Sequence, residues 1–176
     1  MHDGRLENLL GALALSVTDL ALAGVTAAAG TSASGAAALV VLSTAPGLSV
    51  TELGRRVGLS QPAAARMVDA LQRAGLVERH DTPTRAVAVE LTRDGMAAAE
   101  HILGARGGRL TDLTRSLEPA ERVVLAGLLD KLLAGVYQQV RDAERVCRLC
   151  DRAACIAGDQ VCPIGAACRK AAGDDG

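Results

Sequence analysis

At 176 residues the chain is long enough for one domain with an appendage and a tight fit for two independent folds. Apolar residues make up 49% of it, yet Tyr137 is the one aromatic. The core must therefore be built from Leu, Val, Ile and Ala, which suits close-packed helices better than a sheet sandwich. A net charge of −1 rules out a uniformly basic coat for polyanions, but the balance hides a local bias. Between Arg55 and Arg93 seven arginines (55, 56, 66, 73, 79, 85 and 93) face four acids, Asp69, Glu78, Asp81 and Glu90.

The opening Met1-His2-Asp3-Gly4-Arg5 lacks the basic lead, apolar run and cleavage site of a secretory signal, so a cytoplasmic protein is expected. Leu6, Leu9, Leu10, Leu13, Val17 and Leu20 then recur at helical spacing, predicting a long amphipathic helix that ends near Gly30. The uncharged stretch from Leu20 to Thr51 is interrupted by Gly24, Gly30, Gly35 and Pro46, which argues against a membrane span. Ser34 is placed as the cap of a second helix closed by Pro46-Gly47, and Ser49 or Thr51 as the start of a short third one stopped by Gly58. Ser60 before Gln61-Pro62 combines a hydroxyl cap with a proline in the first turn, so a fourth helix begins there and runs to Ala74.

Leu76–Arg79 and Ala86–Leu91 read as two strands around the turn-rich Asp81-Thr82-Pro83-Thr84. Thr92-Arg93-Asp94-Gly95 opens a helix through about Leu117, with Gly104, Gly107 and Gly108 placed to bend it. Beyond Glu118-Pro119, Val124, Leu125, Leu128, Leu129, Leu132, Leu133, Val136 and Val140 form the strongest apolar stripe in the chain. That stripe is too broad for the chain's own remaining faces, so a homodimer partner is expected to cover it.

Helix, short helix, tight turn, helix and hairpin is the order of a winged helix-turn-helix. The text Val50-Thr51-Glu52-Leu53-Gly54-Arg55-Arg56-Val57-Gly58-Leu59-Ser60-Gln61-Pro62, running on through Ala63-Ala64-Ala65-Arg66-Met67-Val68 to Gly75-Leu76-Val77-Glu78-Arg79, resembles the MarR family of bacterial regulators. The resemblance continues through Asp81 and Arg85 to Leu91-Thr92-Arg93-Asp94-Gly95 and covers about residues 5 to 143. It implies a mainly α (α+β) fold, with a DNA-binding domain over 34–92 between long dimerisation helices at 1–33 and 93–144. It also implies double-stranded DNA as partner, the second helix of the motif entering the major groove and the hairpin tip reaching the backbone or minor groove. Ser60, Gln61, Ala63 and Ala64 lie at the end that would approach base edges, Gln61 being the choice for a base contact. Arg66 either bridges to phosphate or pairs with Asp69, three residues on. Arg85 matches the family's wing arginine, whereas Thr84 replaces a commonly charged position.

No cysteine occurs in the first 146 residues, and then Cys147, Cys150, Cys155, Cys162 and Cys168 crowd into a tail at 145–176, expected to be a loop. Cys147-x2-Cys150 lets two thiolates converge, with Cys155 and Cys162 completing a four-sulfur site and Cys168 spare or an alternate ligand. An iron–sulfur cluster, expected as [4Fe-4S], tolerates irregular spacing, and Cys162-Pro163 is similar to the ending of ferredoxin-like motifs. Zinc accepts the same thiolates, although its usual signature has two Cys-x2-Cys pairs; a disulfide suits a reducing cytosol only as a transient sensor. Arg145, Arg148, Arg152 and Arg169 would favour thiolates without discriminating between occupants.

The leading expectation is thus a DNA-binding dimer switched by a cluster that responds to redox state or iron supply. The alternatives are the same regulator with structural zinc and a small organic effector, and a redox carrier or metal-storage protein on a helical scaffold. His2, His80 and His101 are scattered and no nucleophile triad or phosphate-cradling loop stands out, so no catalysis is expected.

Overall fold

The computed structural model of the chain describes residues 4–81 and 87–174; Thr84 and Arg85 of the expected wing tip, and the opening Met1 to Asp3, lie outside the described residues. Helix α1 (Arg5–Ala29) ends on Gly30 in the left-handed conformation, where glycine carries no Cβ penalty. Helix α2 (Ala33–Thr44) is capped by Ser32, whose hydroxyl accepts from the Gly35 N–H at 3.1 Å, and not by Ser34. Every residue from Gly35 to Leu42 is buried, so the middle of the uncharged Leu20–Thr51 stretch is the central helix of the core. Its Leu39 and Leu42 join Leu53, Val68, Leu71, Val77, Val89 and Ile102 from the surrounding elements in one core.

Strand β1 (Leu48–Ser49), helix α3 (Val50–Val57) and helix α4 (Gln61–Arg73) follow, then strands β2 (Val77–Asp81) and β3 (Val87–Leu91). Their antiparallel sheet has the order β1-β3-β2, with Leu48 opposite Val89 and Arg79 opposite Val89 on its other side. The two-residue strand β1 is too short for a period of two to register in the sequence. Helix α5 (Arg93–Thr114) is capped by Thr92, whose hydroxyl accepts from Gly95 N–H and donates to the Gly75 carbonyl at 2.7 Å. This contact locks the end of the sheet to the start of α5.

Gly95 lies so close to the Leu76 carbonyl that a β-carbon would overlap it. Backbone cannot yield there as a flexible side chain can, so Gly95→Ala is expected to cost about 3 kcal/mol. In a chain of this size that lowers the thermal midpoint by roughly 10 °C, measurable by circular dichroism.

Helix α6 (Pro119–Val140) starts at the Glu118-Pro119 break, with Glu121 accepting from the Glu118 N–H at 2.8 Å. Of its residues only Tyr137 is buried. The tail, expected as a loop, is largely helical: α7 (Ala143–Val146), α8 (Arg152–Cys155), a 3-10 turn at Ala157–Asp159 and α9 (Pro163–Asp174). Asp142 and Asp151 cap α7 and α8 by accepting from Arg145 N–H and Ala154 N–H, each at 3.0 Å. Aspartates at these positions give short helices a local reason to form that apolar periodicity does not reveal. Ile164 and Ala167 of α9 pack on Tyr137 as a second small core.

Two long faces stay open. Leu6, Leu9, Leu10 and Leu13 on α1 are exposed, as are Val124, Leu128, Leu129, Leu132, Val136 and Val140 on α6. By length and composition alone these two helices could each cross a membrane. Yet α1 packs along α5, with Gly24 against the Ala105 carbonyl, and α6 carries α9.

Candidate nucleic-acid interface and thiol lobe

The reading head is the pair α3 and α4 with the short turn between them. Ser49 caps α3 by accepting from Glu52 N–H, and Gly58 ends it in the left-handed conformation, which turns the chain toward α4. A β-carbon on Gly54 would sit 2.5 Å from the β-carbon of Ala64, so the two helices cross in near backbone contact. Ala64 is fully buried at that crossing. Its inclusion among base-contacting residues is therefore corrected: the side chain faces α3 and cannot reach a base. The small residue that looked like part of a reading surface is the packing residue of the helix-turn-helix.

Ser60 and Gln61 are exposed at the open end of α4, Ala63 is half-buried, and Arg66 is exposed one turn on. Ser60 takes the extended capping conformation but makes no capping hydrogen bond through its hydroxyl. Asp69 is held by Arg79 at 2.6 Å, and among the described residues no Arg66–Asp69 ion pair, the second of the two alternatives for Arg66, is formed. Arg79 also donates to Gln72 at 2.8 Å, which ties the first wing strand to the outer face of α4. Arg79 is one of the seven arginines of the basic stretch, and only the fold of β2 against α4 gives it Asp69 and Gln72 as partners.

The second constellation is the tail. Cys150 N–H donates to the Cys147 carbonyl at 2.8 Å, folding Cys147-x2-Cys150 into a tight turn. Cys155 closes α8, and Cys162 precedes α9, its sulfur accepting from Gly165 N–H at 3.4 Å. Cys147, Cys150, Cys155 and Cys162 all line both of two clefts, of about 320 and about 310 Å³. One cleft is walled by Val40, Val41 and Thr44 of α2 and Arg56 of α3; the other by Val17, Ala21, Arg106 and Leu133 of α1, α5 and α6. The thiols are thus wedged between the reading head and the long helices.

Cys168 is not in either cleft. It belongs to the small core against α6, where its thiol meets the Tyr137 hydroxyl and raises the tyrosine's pKa. The other four lie near one another, Cys147 feeling Cys150, Cys155 and Cys162 alike. A hydrogen bond from the Cys150 thiol holds Cys147 below the usual thiol range and pushes Cys150 up; burial and the neighbouring thiols push Cys155 up to about 11. Among the described residues no three His, Cys, Asp or Glu side chains converge as ligands of a single ion. Arg148 and Arg152 line the thiol clefts as expected, and Arg106 of α5 joins them. Arg106 is far away in sequence and only the fold brings it here.

A helix-turn-helix with a tied-down antiparallel wing and an exposed helix N-terminus defines a winged-helix DNA-binding protein. Residues 29–86 match the sequence model of the MarR family, a match that stops short of all five cysteines. Among solved structures the chain is similar to a MarR-family transcriptional regulator from Silicibacter pomeroyi (27% identity, 77% of this chain and 95% of that one, TM-score 0.59). It is similar too to Escherichia coli MarR (28%, 70% and 96%, 0.59) and to the Mycobacterium tuberculosis MarR family protein RV2887 in complex with p-aminosalicylic acid (27%, 70% and 97%, 0.55). The chain thus has the fold of the MarR-type transcriptional regulators, which are not enzymes, and is similar to them in sequence through its reading head.

Proposed function

We propose that this regulator binds a pseudo-palindromic operator as a cytoplasmic homodimer and that its affinity is switched by an iron–sulfur cluster, [4Fe-4S], held by Cys147, Cys150, Cys155 and Cys162. In this reading 34–92 reads DNA, 1–33 and 93–144 dimerise, and 145–176 senses. Gln61 contacts a base, Ser60 and Ala63 lie against the groove wall, and Arg66 reaches phosphate, since Asp69 is engaged by Arg79. Arg85 is assigned to the wing contact from the family resemblance alone.

One observation carries the sensing part: four thiols from separate tail segments share the same two clefts, one of them walled by the reading head. The donor set fits the group. Around one zinc, sulfurs about 3.8 Å apart must surround a single point, whereas among the described residues no three ligands converge on one ion, and a four-iron cluster takes its thiolates further apart. Arg106, Arg148 and Arg152 supply positive charge to offset that of thiolates. A cluster supplies a charge change on oxidation; the chain's own residues hold it, exclude water with Val40, Val41 and Ile164, and couple it to α3.

Protein purified without oxygen is expected to be brown, with about four irons and four sulfides per chain, and to change its affinity for a selected operator duplex after oxidation by air. Equal affinities before and after oxidation overturn the sensing role. Colourless protein with one zinc per chain overturns the cluster and supports the second reading, structural zinc with a small organic effector. That reading is favoured by one observation, the relative RV2887 seen with p-aminosalicylic acid.

A further inference from the structure

We infer that the thiol lobe is latched to α3 of its own chain, and that Arg55 is the positioning residue through which the state of the thiols reaches α4. The inference rests on the sensing role proposed above and gives its route.

Arg55 and Arg56 project from α3 toward α7. Arg55 donates to Asp142 at 3.2 Å and to Glu144 at 3.0 Å, and Arg56 lies 3.6 Å from Glu144. Glu52, one turn earlier on α3, accepts from both arginines at 2.8 Å and so fixes their direction. These hydrogen bonds lower the Glu52 pKa from 4.5 to about 2. Arg145 lies beside Gly58, 3.4 Å from where a β-carbon would stand, against the negative end of α3. Asp142 also caps α7, so one carboxylate serves both the latch and the helix that leads into Cys147. Two residues past Cys147, Leu149 packs on the main core. The first thiol is therefore held between a polar anchor on α3 and an apolar one on the main core.

From α3 the connection continues without slack. Gly54 and Ala64 leave no room between α3 and α4, so α3 cannot tilt without carrying Gln61 with it. Exposed ion pairs are individually weak, which a latch that has to open requires; a network of several gives it direction. The signal reaches each reading head inside its own subunit, before any change in the spacing of the two subunits.

Full-length wild type, Arg55→Glu, Glu144→Arg and the double variant Arg55→Glu/Glu144→Arg test this. Each is purified without oxygen, and its binding to a duplex selected by wild type from a random pool is measured before and after treatment with an iron and zinc chelator. Amide exchange over 50–57 is followed in parallel. In each single variant, α3 is expected to exchange about 10-fold faster, with affinity for the duplex fixed at one level and chelation changing it less than 2-fold. The double variant, with the charges exchanged, regains slow exchange and the wild-type response to chelation. Glu144→Arg leaves the reading head untouched, so its effect cannot come from a lost phosphate contact.

Single variants that respond to chelation as wild type does overturn the latch and leave the sensing role standing. So does a loss in Arg55→Glu alone that the exchanged charge does not restore, which marks Arg55 as a direct phosphate contact. Wild type indifferent to chelation overturns the sensing role, and the latch with it.

Discussion

Replacing Leu128 and Leu132 of α6 together by Asp is expected to turn the dimer into monomers and to abolish operator binding. Both side chains are about half exposed in the single chain, 51% and 47%, within a stripe in which only Tyr137 is buried. A chain that leaves so many leucines and valines open on two helices has an unfilled contact, because monomers seldom expose so large an apolar patch. Fully burying one leucine contributes about 1.5–3 kcal/mol; with each already half covered and a two-fold interface counting each position twice, the pair accounts for roughly 3–6 kcal/mol of association. Four carboxylates placed in that contact would add desolvation and mutual repulsion. The chain's own fold should survive, since neither residue belongs to its core. Sedimentation velocity reads the result, with circular dichroism as the control for folding. A persistent dimer would place the interface elsewhere.

Loss of DNA binding follows from geometry. Two half-sites one helical turn apart can be met only by two reading heads at a fixed distance. A monomer keeps one set of phosphate and base contacts and loses the other.

The second large effect is expected from Gln61→Glu. Gln61 is exposed at the first position of α4, where a carboxylate is compatible with the helix and even favoured by its dipole, so the fold should be unaffected. Against DNA the same charge faces phosphates and loses the amide's paired donor and acceptor. A bidentate amide–base contact discriminates by about 1–3 kcal/mol, and a dimer presents two, so binding should weaken about 100-fold or more at 1.4 kcal/mol per decade. Fluorescence anisotropy with the selected duplex measures it. The steepness of binding against salt should change little, because Gln61 neutralises no phosphate. If Gln61→Glu binds within a factor of three of wild type, α4 does not present its N-terminal end to the groove.

Much of this molecule was legible as local text. Helix ends rest on residues whose chemistry acts over one turn: Gly58, left-handed, stops α3, Pro62 sits in the first turn of α4, and Thr92 caps the start of α5. The apolar spacing of α1 and α6 likewise survives as helices with open faces. The fold departs from the local reading at two small residues. Ser32, and not Ser34, caps α2, its hydroxyl accepting from the Gly35 amide. Ala64 is small and near a helix start, so sequence alone allowed it a place facing DNA; the crossing with Gly54 buries it.

What the sequence by itself determined was the inventory: a helix-turn-helix with a hairpin, two helices with unmet apolar faces, and a tail dense in sulfur. Caps, glycines and apolar periods act over a few residues, so they can be read one turn at a time. Which charges meet was left to the tertiary structure. Asp69 takes Arg79 and not Arg66, Arg106 joins the thiols from α5, and Arg55 spans to Asp142 and Glu144. Long side chains pair with whatever the packing of their helices brings within reach, and nothing in their spacing along the chain encodes that partner. The same packing wedges the sulfur-rich lobe between α2, α3 and the long helices, turning an appendage into a neighbour of the surface that reads DNA.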